Sequence, residues 1–141
     1  MKVKEILAGK GHNVWSIEPG ASVFDAMKLM AEKGVGALIV REGERVAGVI
    51  SERDYARKVI LEGRSSPTTE VREIMTSHVL YAGPDHTIEE CMAIMTDKRI
   101  RHLPVLDGGR LMGVISIGDL VKTIISEQQF RIEQLEKYIS G

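Results

Sequence analysis

Apolar and polar positions along the chain follow two periods, and both recur. Apolar residues at Val23, Ala26, Met27 and Met30 have the three-and-four spacing of a helix that buries one face. Ser22 precedes that pattern and Gly34 follows it, types that suit an N-cap oxygen and a left-handed C-terminal cap. Asp25, three residues past the cap, is placed for a capping box. Residues 37–40 then form an apolar run of strand length. Glu42-Gly43-Glu44 reads as a turn, and residues 46–51 as a second strand that completes a hairpin. The same order returns with Thr87, Glu90, residues 103–106, Asp107-Gly108-Gly109 and residues 111–116. Asp54 and Asp119 each stand at the start of another helix. Each copy is predicted to run helix, strand, helix, strand, strand, helix.

The recurrence is one of sequence as well as of pattern. Gly48-Val49-Ile50-Ser51-Glu52-Arg53-Asp54 lies over Gly113-Val114-Ile115-Ser116-Ile117-Gly118-Asp119 at an offset of about 65 residues. Residues 23–30 lie over 88–95, and Leu38 and Val40 over Leu103 and Val105. Residues 3–7 resemble 71–75 at an offset of about 68, so the first copy carries about three extra residues near Lys10-Gly11-His12. The expected division is a first repeat over 1–63, a linker over 64–70, a second repeat over 71–126 and a helical tail over 127–141. A unit of about 60 residues buries too little surface to stand alone. The two are therefore expected to pack face to face, as an α/β body with pseudo-twofold symmetry. In the tail, Val121, Ile125, Gln128, Ile132, Leu135 and Ile139 recur at alternating gaps of four and three, a coiled-coil seam with one polar break. Glu127, Arg131, Glu133, Glu136 and Lys137 flank it, and so charged a helix is expected to meet a partner subunit.

Composition narrows the function. A net charge of −1 supplies no positive field to hold a polyanion, so nucleic acid is a poor partner. The single cysteine, Cys91, allows no internal disulfide and no thiolate metal cluster, and its helical position puts it on the core side. No run of about 18 apolar residues is present, so no membrane span is expected, and the default location is cytoplasmic. His12, His78, His86 and His102 lack metal-ligand spacing. No nucleophile elbow and no Gly-rich phosphate loop occur.

The candidate chemistry lies in the doubled Gly-x-Ile-Ser-x-x-Asp. Gly48 and Gly113 permit close backbone approach. A carboxylate at Asp54 or Asp119 can accept hydrogen bonds from two vicinal hydroxyls, and Ser51 or Ser116 with helix N-terminal N–H groups suits phosphate oxygens. For either copy alone, Ser and Asp serve equally as a helix cap. Their doubling in register favours the ligand. In Arg99-Ile100-Arg101-His102-Leu103-Pro104-Val105, alternation puts Arg99 and Arg101 on one face and Ile100 and His102 on the other, where basic residues can reach a phosphate. The matching Gly34-Val35-Gly36-Ala37-Leu38-Ile39-Val40 has no charge, and its glycines leave room for a flat base. Trp15 could stack on such a base or join the core.

From Val3 to about Ile125, the doubled motif and the Arg-His-Leu-Pro-Val strand resemble the tandem CBS-domain pair, or Bateman module, of the stand-alone bacterial type. The resemblance implies two β-α-β-β-α repeats and an adenine-nucleotide ligand: AMP, ADP, ATP, NAD(H) or S-adenosylmethionine. It implies that Asp54 and Ser51 act with Thr76, Leu80, Ile100, Arg101 and His102, and that Arg53 touches phosphate. Asp119 and Ser116 act with Gly11, Trp15, Val35, Gly36 and Ala37. Lys10, Ile50, Pro104, Ile115 and Gly118 complete the implied set. Ile39 departs from the family's usual proline. The expected role is regulatory and non-enzymatic, sensing energy or redox state as a homodimer with a separate effector protein. The alternative is an interaction module that binds no nucleotide.

Overall fold

The computed structural model describes residues 1–140. Its first half comprises α1 (Val3–Lys10), β1 (Ser16–Ile17), α2 (Val23–Lys33), β2 (Ala37–Glu42), β3 (Arg45–Ser51) and α3 (Glu52–Tyr55), which continues through a π-helical turn, Ala56–Ile60. After a 3-10 turn, Ser66–Thr68, come α4 (Val71–Ile74), α5 (Ile88–Lys98), β4 (His102–Asp107), β5 (Arg110–Ser116) and α6 (Ile117–Ser140). The architecture is the expected α/β arrangement of two repeats with a long C-terminal helix.

The caps lie where the sequence puts them. Ser22 Oγ accepts from the Asp25 N–H at 3.0 Å, and Thr87 Oγ1 from the Glu90 N–H at 3.1 Å. Gly34 ends α2 in the left-handed conformation at φ 66°. The Asp25 and Glu90 carboxylates do not accept from the cap N–H groups, so the capping box expected there is only half made; reciprocal boxes form at Ser51–Asp54 and Ser116–Asp119. The hairpins share a register: Ala37 opposes Ser51, and His102 opposes Ser116. β1 lies parallel to β2, and Ala82 bridges Val105 in the same way.

The packed units are not the sequence repeats. α1 buries Val3, Ile6 and Leu7 against Ile88, Leu103, Ile115 and Leu120 of the second half. α4 buries Val71 and Ile74 against Val23, Leu38 and Ile50 of the first. The repeats thus exchange their leading helices, and each buried Leu or Ile contributes about 2 kcal/mol. Two glycines make the exchange possible. A Cβ on Gly48 would sit 2.7 Å from the Thr76 carbonyl oxygen, and one on Gly113 would sit 2.8 Å from Leu7 Cδ2. The close approach expected of these glycines is therefore that of the exchanged helices.

Three expectations change. The second repeat has no strand between α4 and α5, only the single Ala82–Val105 bridge, so its sheet has two strands where the first has three. β4 begins only at His102, so alternation does not sort residues 99–101. Arg99 is a left-handed cap at φ 54°, and the Ile100 N–H donates back to the Met95 carbonyl at 3.1 Å. The tail is no separate element but the unbroken continuation of α6. Leu120 is fully buried, whereas residues 128–139 are all exposed. Gly141, the last residue of the expected tail, lies outside the described residues.

Candidate functional site

A cleft of about 480 Å³ opens where β3 and α3 of the first repeat meet residues 99–104 of the second. Ser51 ends β3 on its wall and Asp54 follows in the first turn of α3. Asp54 Oδ2 accepts from the Ser51 N–H and hydroxyl, both at 3.0 Å, while Oδ1 faces Lys58 Nζ at 3.4 Å. The capping role is therefore realised, and it fixes a carboxylate that is 15% exposed at the cleft wall. Oδ2 is filled by those two donors, and Oδ1 keeps a lone pair for a further one.

The expected companions assemble around it. Arg53, Thr76, Leu80, Ile100, Arg101, His102 and Pro104 all line this cleft. Sequence reasoning missed Val49, Glu52, Arg57, Lys58, His78 and Val79 as wall residues, and gave Arg99 only as a basic neighbour. Arg57 and Lys58 had a signal: three and four residues past Asp54, they share its helix face. The walls carry five cationic side chains, Arg53, Arg57, Lys58, Arg99 and Arg101, against the carboxylates of Glu52 and Asp54.

The second cleft, about 380 Å³, gathers Lys10, Gly11, Trp15, Val35, Gly36, Ala37 and Ser116 as expected. Trp15, 40% exposed, carries Lys33 Nζ 4.5 Å from its ring centroid. Asp119 is not on this wall. Lys10 Nζ lies 2.7 Å from Asp119 Oδ2 and 2.8 Å from the Val114 carbonyl oxygen, between the carboxylate and the cleft. Asp119 faces instead a groove between α1 and α6. Burial would raise its pKa, but the Lys10 ammonium and the Ser116 N–H outweigh that and hold it below the ordinary value. Gly118 presents no side chain and lines neither cleft. Ile50 and Ile115 line neither, because strand alternation turns both into the cores at 0% exposure.

The clefts meet at Gly36, Val49 and His102. The His102 ring lies 3.8 Å from where a Gly36 Cβ would stand, so it borders the space beside Gly36 where the two clefts meet. Burial, then the Lys10 charge, push the His102 pKa below its usual value, with Arg101 adding and Asp119 and Glu52 opposing. Cys91 is buried in the second core, and burial raises its thiol pKa to about 11, with the Glu90 charge adding to the effect, which suits a core side chain rather than a nucleophile.

Residues 3–61 and 71–126 each match the CBS domain. The chain belongs to the CBS-domain family. The CBS domain-containing protein CBSX3 of Arabidopsis thaliana, a mitochondrial protein, is 42% identical over 125 residues, covering 85% of this chain and 61% of that one. The chain thus spans less than two thirds of that relative, and 34% of an uncharacterized 33.4 kDa protein of Thermofilum pendens. A solved protein with CBS domains from Burkholderia ambifaria is 53% identical with a TM-score of 0.88, covering 91% of this chain and 96% of that one. A CBS domain protein from Pyrobaculum aerophilum, solved in complex with AMP, shares the fold at a TM-score of 0.75 and 23% identity, over 84% and 89% of the two chains. No helix among the described residues is long and apolar enough to cross a membrane.

Proposed function

We propose that this CBS pair is a regulatory module that binds an adenine nucleotide in the Asp54 cleft, and that binding rather than catalysis is its role. One observation carries the reading: a single cavity holds a fixed carboxylate, apolar walls at Val79, Leu80, Ile100 and Pro104, and a cationic side. A ribose diol suits Asp54 and a flat base suits the apolar walls. The phosphate suits Ser51, Arg53 and the N–H groups that open α3. The AMP complex of the Pyrobaculum protein supports the ligand class, since AMP, ATP and NAD(H) share the adenosine half.

The two clefts are unequal in this reading. A ligand entering the second must displace Lys10 from Asp119, so the Asp54 cleft fills first. The exposed seam of Ile125, Ile132, Leu135 and Ile139 suits a second copy of the chain, giving a homodimer whose arrangement nucleotide biases and a separate effector protein reads. That seam is also what favours the second reading, an interaction module without nucleotide.

Calorimetric titration of nucleotide-free protein with AMP, ATP, NADH and S-adenosylmethionine tests the proposal, beside Asp54→Ala and Asp119→Ala. Saturable binding that Asp54→Ala abolishes in a folded protein and Asp119→Ala barely changes is the expected result. No binding by folded wild type gives the case to the interaction module.

A further inference from the structure

The internal symmetry supplies a control for what each cleft has been built to hold. Arg99 caps α5 in the left-handed conformation, φ 54° and ψ 42°, where side chains are strained and glycine is at ease. Its repeat mate Gly34 caps α2 at φ 66° and ψ 34° with the same hydrogen bond, from its own N–H to the carbonyl four residues back. The backbone therefore calls for glycine at both places, and an arginine stands at one. Position 53 shows the same substitution: Arg53 has Gly118 for its mate. The two positions belong together, because Arg53 Nη1 donates to the Arg99 carbonyl oxygen at 3.1 Å across the repeats. One cleft thus has an arginine from each repeat at its rim; their mates are glycines, Gly34 on the wall of the second cleft and Gly118 on neither wall.

Like charges gathered in this way repel unless an anion lies among them. Asp54 is already engaged by Ser51 and Lys58. A single phosphate, with about two negative charges, leaves part of the cationic surplus unmatched. We propose that Arg53 and Arg99 form a clamp that selects a second phosphate, so that the Asp54 cleft takes a nucleoside di- or triphosphate ahead of a monophosphate. The proposal rests on the adenine-nucleotide reading of the same cleft and names its ligand class. Arg99 is the specificity-determining residue, because the planar guanidinium binds phosphate bidentately and the fold alone would place glycine there.

The test compares affinities for AMP, ADP, ATP and inorganic tripolyphosphate in wild type, Arg99→Gly and Arg53→Ala. Wild type is expected to favour ATP over AMP by about tenfold, a preference that Arg99→Gly reduces to about twofold. Relief of the left-handed strain raises the Tm of Arg99→Gly by about 3 °C, so a weaker ligand grip cannot be blamed on a weaker fold. Equal affinity of wild type for AMP and ATP, or a preference that survives Arg99→Gly, overturns the clamp while leaving adenine binding intact. Tripolyphosphate separates the two ideas. If it binds wild type and not Arg99→Gly while no nucleotide shows a contribution from its base, the clamp stands and the adenine reading falls.

Discussion

Gly48 and Gly113 are repeat mates at the same strand position, yet alanine at the two should differ severalfold in effect. At Gly113 the new methyl group would sit 2.8 Å from Leu7 Cδ2 and 3.3 Å from Cδ1. Those atoms end a side chain, and a rotamer adjustment restores an ordinary contact of about 3.5 Å at roughly 1 kcal/mol. At Gly48 the nearest atom is the main-chain oxygen of Thr76 at 2.7 Å, with Met75 Sδ at 2.8 Å. A carbonyl cannot rotate away, so the segment after α4 must lift off β3. That motion stretches the reciprocal pair in which the Val49 N–H donates to Thr76 at 3.0 Å and the Thr76 N–H donates to Val49 at 2.9 Å. Two weakened hydrogen bonds at about 1 kcal/mol each, with about 1 kcal/mol of overpacking, give about 3 kcal/mol. Replacing glycine returns about 0.5 kcal/mol through the unfolded chain. The net expectation is a loss of about 2.5 kcal/mol for Gly48→Ala and about 0.5 kcal/mol for Gly113→Ala. Urea denaturation followed by circular dichroism reads both, with unchanged slopes. Because Thr76 lines the Asp54 cleft, nucleotide affinity falls in Gly48→Ala as well. Equal losses, or a larger one for Gly113→Ala, would refute the account of exchanged helices seated on glycine.

Three further outcomes follow from the charges and the exposed helix. Lys10→Met leaves the half-buried Asp119 without its ammonium, so its pKa rises. The stability that this carboxylate supplies above its unfolded value of 3.8, now lost only as pH falls through a still lower pKa, is then lost at higher pH, and acid unfolding read by circular dichroism shifts accordingly. His102 has a pKa below its unfolded value of 6.5, so the unfolded chain takes up the proton first and stability declines as pH drops below 6.5. His102→Gln should flatten that decline, as urea midpoints at about pH 8, 6.5 and 5 would show, and an unchanged slope would assign it to other groups. On the proposed pairing of two copies through α6, Ile132→Ser with Leu135→Ser should lower the mass read by light scattering while the thermal transition stays in place, since both side chains are more than half exposed in the single chain.

Much of this was legible in the sequence because the signals are local. Ser22, Thr87 and Gly34 mark helix ends through bonds three or four residues long, and the hairpins follow from runs and turns. The companions of Asp54 came from the family resemblance, and the structure gathers all but Ile50 at one cleft. Alternation assigns Ile50 to the core once the strand's true face is known. The parts that stayed hidden depend on distance along the chain. Nothing near Lys10 shows that its ammonium meets a carboxylate 109 residues away. The repeat offsets show that residues 3–7 and 71–75 are alike, not which sheet each covers. Arg99 read as strand because its left-handed cap is held for an arginine against the preference for glycine.

The exchanged helices also bear on synthesis. α1 leaves the ribosome roughly a hundred residues ahead of Gly113, the residue on which Leu7 rests. Until β5 and the start of α6 emerge, Val3, Ile6 and Leu7 have no core to enter, and the first sheet waits for α4. The first core, complete at α4, can close on the nascent chain roughly forty residues before the second, whose leading helix has waited since residue 3. The apolar face of α1 stays open to chaperones, or to another copy's second core, until β5 and the start of α6 have emerged.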